Sequence, residues 1–174
     1  DDDLYAPVAT ELGVERATAK VAVLGAMYGQ TTGHGAQALR GLHASYPVAM
    51  AYLDAADRAA SAGTDLRTSG GRLVRMGGTD VGVVGEEARR DARSRAAARG
   101  RYGRNAMVQG AAAELFKVWA LTVRAKVAPF EARIVLCLHD ELLVHAPAEH
   151  GAEVARLVDA SLAEAAGRWS AHPV

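Results

Sequence analysis

Leu136-Cys137-Leu138-His139-Asp140-Glu141-Leu142-Leu143-Val144 is the stretch on which the reading of this chain turns. Ile134 to Leu138 is short, apolar and partly β-branched, which suits a buried strand, and Leu142 to Val144 suits a second. His139 and Asp140 fit a tight turn between them, since Asp tolerates unusual backbone angles. The expectation is a β-hairpin over residues 132–146 that carries acids at its tip, held rigid by its apolar strands. Adjacent carboxylates at a fixed place, Asp140 and Glu141, suit a hard divalent cation such as Mg²⁺, which takes oxygen ligands and keeps some waters. The same residues also suit a surface hairpin with a solvated polar turn, so the surrounding sequence has to decide.

The chain has 174 residues, half of them apolar, and no net formal charge. That length supports one domain or two small lobes. A neutral chain is no general polyanion binder, but its cations are unevenly placed. Only Lys20, Lys117 and Lys126 are lysines, whereas seven arginines crowd between Arg89 and Arg104, opposed in that stretch by Asp91 alone. Clustered arginine fits phosphate binding; a solvated arginine-rich loop is the plainer alternative. The single cysteine, Cys137, lies in an apolar run and is expected to be buried and inert, with no disulfide possible within the chain. No apolar run approaches the length of a membrane span. The opening Asp1-Asp2-Asp3 is not a signal peptide. A cytoplasmic monomer is expected, and the ends read as those of a piece of a longer polypeptide.

Outward from the hairpin, the chain reads as helices. A short helix from Asp3 to Leu12 stops at Gly13, and a longer one spans residues 14–28. Arg16, Lys20, Leu24 and Tyr28 recur every four residues and share one face of that helix. Two cations side by side repel each other, an arrangement that suits an anionic ligand; a pair simply pointing to water is the alternative. Gly29 to Gly35 and Gly77 to Gly85 read as flexible, and the first is not a Walker loop, since no Gly-Lys-Ser/Thr follows. Ala36 to Ser45 and Pro47 to Ala62 read as helices, the second with Pro in its first turn. Asp65 to Arg75 reads as a hairpin turning at Ser69-Gly70-Gly71. After a partly helical arginine stretch, a helix is expected over residues 105–126. Extended backwards, it would put Arg101, Asn105 and Gln109 on one side. A last amphipathic helix, Glu149 to Trp169, offers Val154, Leu157, Val158 and Leu162 to the core. The fold class expected is α+β: a mostly helical lobe over residues 1–95, then residues 96–174 with helices on the antiparallel hairpin.

Three of these stretches resemble, in order and spacing, the C-terminal part of family A DNA polymerases, the bacterial DNA polymerase I type. Arg16-x3-Lys20-x7-Tyr28-Gly29 is similar to the nucleotide-binding helix of the fingers. Asn105-Ala106-Met107-Val108-Gln109-Gly110 is similar to the palm helix that touches primer–template, and Leu138-His139-Asp140-Glu141-Leu142 to the palm hairpin with the catalytic aspartate. Tyr46-Pro47 and Gly70-Gly71-Arg72-Leu73 also fall where that family has similar elements. The resemblance implies a fingers subdomain over 1–95 and a palm portion over 96–174. It implies that Arg16 and Lys20 hold the triphosphate of a dNTP and that Tyr28 lies near the templating base. Arg101, Asn105 and Gln109 would contact primer–template DNA, His139 would lie near the primer end, and Asp140, supported by Glu141, would bind Mg²⁺ in a two-metal nucleotidyl transfer. Two departures stand out. Leu24 occupies a position where the family usually has Phe or Tyr, and no residue before Arg16 is placed to supply the family's second metal-binding aspartate. The 174 residues alone are therefore expected to lack polymerase activity. Two other readings remain at this point: a degenerate relative that binds primer–template without catalysis, and a small arginine-rich helical domain that binds RNA or an acidic protein.

Overall fold

The computed structural model describes residues 3–29, 35–77 and 84–169. Most of the two glycine-rich stretches read as flexible lies outside those residues.

Glycine sets the first two helix ends. Helix α1, Tyr5–Leu12, closes where the Gly13 N–H donates to the Thr10 carbonyl at 3.2 Å and the Val14 N–H to the Ala9 carbonyl at 3.0 Å. Helix α2, Arg16–Tyr28, closes at Gly29, whose φ of 69° belongs to the left-handed region where a Cβ is strained. Helix α3 is Gly35–Ser45, and α4, Pro47–Ser61, has Pro47 in its first turn, where the missing N–H leaves no bond unmade. Strands β1, Leu66–Arg67, and β2, Leu73–Val74, pair antiparallel, Leu66 opposite Val74. The turn between them is closed by the Gly71 N–H donating to the Thr68 carbonyl at 2.8 Å, as the sequence led one to expect.

Small residues determine which way α2 faces. Ala19, Ala22 and Ala26 are buried along one side, and Ala22 and Ala26 pack with Leu42, Met50 and Leu53. The face carrying Arg16, Lys20, Leu24 and Tyr28 is thereby left at least partly open. A second cluster joins Ala56 and Ala60 of α4 to Leu66, Val74, Met76 and Met107.

Met107 belongs to α5, Glu86–Val127, a helix of 42 residues. The expectation of a partly helical arginine stretch followed by a helix from residue 105 is corrected: the arginines from Arg89 to Arg104 are helical throughout. Arg, Ala and Met are strong helix formers. Glu86 and Glu87 in the first turn and Arg124 and Lys126 in the last also complement the helix dipole. Gly100, Gly103, Met107 and Gly110 form a buried stripe at helical spacing. It brings α5 close to α4: a Cβ built on Gly103 would lie 2.3 Å from the Ala60 Cβ. Two compact units, Asp1–Gly110 and Ala111–Val174, divide the chain within α5.

In the second unit a single 3₁₀ turn, Ala128–Phe130, leads into β3, Arg133–Leu138, which pairs antiparallel with β4, Glu141–His145. Another 3₁₀ turn, Ala148–His150, precedes α6, Gly151–Trp169. Val123, Val127, Ala132 and Val154 form the core, with Trp119, Ile134, Leu142, Val144, Leu157 and Val158 against it. The hairpin stands where the sequence put it, but the expectation of buried strands is corrected. Leu136, Leu138 and Leu143 are 49%, 50% and 58% exposed, and Cys137 is exposed too. A pleated strand sends alternate side chains to opposite faces, and the helices cover one face only. Ile134, Leu142 and Val144 meet them; a register shift between Ile134 and Leu136 breaks the simple alternation. Leu162 of α6, expected in the core, is also largely exposed.

Candidate functional site

The candidate residues fall in both units. In the first, α2 displays Arg16, Lys20, Leu24 and Tyr28 as the spacing requires, with Leu24 half-buried and the other three exposed. The cations are not simply solvated. The Arg16 guanidinium lies 5.6 Å from the centre of the Tyr5 ring and the Lys20 ammonium 5.8 Å from it, so one aromatic ring attracts both. Arg16 Nε also donates to Asp3 Oδ2. That hydrogen bond, reinforced by the bond from the Tyr5 N–H, holds the Asp3 carboxyl below its ordinary range; the same partner raises Arg16. Sequence reasoning missed both Tyr5 and Asp3. Asp3 is 13 positions from Arg16 across the Gly13 turn, and no local spacing signals that pairing.

At the far end of α2, Gly29 meets α5. A Cβ at Gly29 would lie 2.9 Å from Arg101 Cγ, so the Arg101 stem runs against the backbone beside Tyr28. Helix α5 extends back through Arg101, which puts Arg101, Asn105 and Gln109 on one side of it. Arg101 and Gln109 are exposed. Asn105 Oδ1 is buried with no hydrogen-bond partner among the described residues. The arginine cluster is not uniform. Arg104 is buried, donates through Nε to the Ala26 carbonyl and through Nη1 to Asp54 Oδ1 at 2.8 Å, and so ties α2 and α4 to α5. It is a structural residue, and counting it within a phosphate-binding footprint is corrected. Arg99 Nη2 likewise turns inward, to the Ser61 carbonyl at 3.4 Å.

In the second unit Leu138 pairs with Glu141, so His139 and Asp140 form a two-residue turn. The strained position is His139, at φ 52°, rather than Asp140 as expected. His enters the left-handed region more readily than most residues. His139, Asp140 and Glu141 are exposed. Asp140 and Glu141 border a groove of about 440 Å³ whose wall is Trp119 with Leu136, Leu138, Leu142 and Leu143. Trp119 is fixed by its indole N–H, which donates to the Val158 carbonyl at 3.2 Å. Carboxylates at an apolar groove are the right donor type for Mg²⁺. Their number is short: among the described residues no group of three or more His, Cys, Asp or Glu side chains is placed to hold a metal ion.

The fold and these residues together define a protein with a cationic helix face, a polar side on a long helix and an acid-tipped hairpin. The chain belongs to DNA polymerase family A, whose model matches residues 5–170. Over 55 residues it is 38% identical to DNA polymerase theta of Caenorhabditis elegans, a match covering 32% of this chain and 3% of that protein. Its fold is similar to the POL domain of Pol1 from M. smegmatis, solved in complex with DNA primer-template and dNTP. That likeness has a TM-score of 0.70 at 25% identity and covers 94% of this chain and 31% of the other. The 174 residues thus correspond to under a third of the solved polymerase chain.

Proposed function

We propose that this chain is the fingers (1–95) and palm portion (96–174) of a DNA-templated DNA polymerase and works within a longer polypeptide. The reaction joins the primer 3′-hydroxyl to the α-phosphorus of a dNTP and releases pyrophosphate. The observation that carries this reading is the family match over residues 5–170, inside which the cationic face of α2, the polar side of α5 and the acid tip of the β3–β4 hairpin follow in order.

Arg16 and Lys20 hold the triphosphate, and Tyr28, at the end of the same face, lies near the templating base. Arg101, Asn105 and Gln109 contact the primer–template from one side of α5. His139 stands near the primer end. Asp140 and Glu141 would hold Mg²⁺, which when bound favours the primer alkoxide and steadies the departing pyrophosphate. Because two carboxylates are part of a ligand set, the 174 residues alone bind nucleotide without extending a primer. The enzyme is proposed to act as a monomer.

The test is Lys20→Ala in the full-length chain, measured for nucleotide dependence of primer extension and for duplex affinity. Losing a charge-assisted bond to phosphate should raise the nucleotide KM about tenfold to a hundredfold. Duplex affinity should stay within about twofold. An equal fall in both would make the α2 face a DNA contact instead.

A further inference from the structure

Resting on the nucleotide role given to α2, we propose that Asp3 is a built-in counter-anion: it occupies Arg16 when no polyphosphate is bound, and it weakens polyphosphate binding by competing for that guanidinium.

The two oxygens of Asp3 do different work. Oδ1 accepts from the Tyr5 N–H at 3.0 Å, which caps the start of α1, and Oδ2 takes Arg16 Nε. The pair lies at the surface, with the Arg16 side chain 55% exposed and that of Asp3 28% exposed, so an incoming anion reaches it without unfolding anything. Lys20 shares the Tyr5 ring but has no acidic partner among the described residues. An arriving phosphate chain therefore meets an ammonium that has only the Tyr5 ring beside it and a neighbouring guanidinium already held by a carboxylate. It must displace Asp3 or bind beside it against like-charge repulsion, and both weaken binding. Asp3 is a carboxylate at neutral pH in any case, and the hydrogen bond from Arg16 lowers its pKa further.

The experiment titrates the 174-residue chain with inorganic tripolyphosphate by calorimetry, comparing the wild type with Asp3→Asn, Asp3→Glu and Lys20→Ala. Asn keeps an acceptor for the Tyr5 N–H and removes only the charge, so α1 stays capped and the melting midpoint serves as a folding control. The expected result is binding roughly twofold to fivefold tighter for Asp3→Asn at low ionic strength, the size of an exposed ion pair, shrinking towards no difference at high salt. Asp3→Glu should remain near the wild type. Unchanged or weaker binding by Asp3→Asn, with Lys20→Ala still impaired, would overturn the competitor role and leave the nucleotide role of α2 standing. Lys20→Ala binding as tightly as the wild type would overturn that role and the proposal together.

Discussion

Gly103 tests the packing that positions the candidate site. It lies inside α5, where Ala would raise helix propensity by about 1 kcal/mol. The structure reverses the sign. A Cβ at Gly103 would lie 2.3 Å from the Ala60 Cβ and 3.0 Å from Leu66 Cδ1. Carbon atoms rest about 3.5–4.0 Å apart, so the first contact is short by more than about 1 Å. Ala60 is fully buried and has no rotamer through which to escape, so α4 and α5 must separate. Overpacking of this kind costs about 1–3 kcal/mol, and the rigid neighbour argues for the upper end. Net of the propensity gain, Gly103→Ala should lose about 2 kcal/mol. Gly167 of α6 is the control, because a Cβ there meets nothing within 4 Å. Gly167→Ala should gain up to about 1 kcal/mol. Urea unfolding followed by helical circular dichroism reads both; with a slope of about 1–3 kcal/mol per molar, the Gly103→Ala midpoint should fall by about 1 M. A midpoint raised by Gly103→Ala as it is by Gly167→Ala would refute the close approach of the two helices.

Arg104→Met should destabilise the chain by about 2–4 kcal/mol, since it strands Asp54 and the Ala26 carbonyl; the value is set below that of a fully buried pair because Asp54 is partly hydrated. Arg101→Ala should leave stability within about 0.5 kcal/mol, weaken duplex binding and lower the salt slope of binding by about one. Thermal melts and duplex titrations at several salt concentrations separate the two arginines. Lys126, assisted by Arg168, lowers the pKa of Glu164, so the stability that this carboxylate adds is present above the ordinary Glu range and lost as pH falls through its depressed pKa. Melting midpoints of the wild type and Glu164→Gln should therefore differ at neutral pH and converge in acid; a constant gap would contradict the link.

Local pattern revealed much of this molecule. The Gly13 and Gly29 stops, Pro47, the Ser69-Gly70-Gly71 turn and the four-residue spacing on α2 each depend on neighbours in sequence, and each element stands where those signals put it. Signals that depend on distant partners were not legible. Arg104 looks like its neighbours in the cluster until Ala26 and Asp54 are seen to face it. Tyr5 and Asp3 gain their roles because the Gly13 turn folds α1 back beside α2. The exposure of Leu136, Leu138, Leu143 and Cys137 was hidden for a related reason: an apolar run says that a strand suits burial, and the elements beside it decide whether cover is present.

The central claim is that the acid tip of the β3–β4 hairpin serves nucleotidyl transfer. It is tested most directly by single-nucleotide primer extension in Mg²⁺ by the full-length chain and its Asp140→Ala variant, with primer–template affinity measured on the same samples. A ligand acting mainly at the transition state should matter for rate and little for duplex binding. Extension abolished in Asp140→Ala, with duplex affinity retained, is the predicted result; equal extension rates in the two proteins would contradict the account.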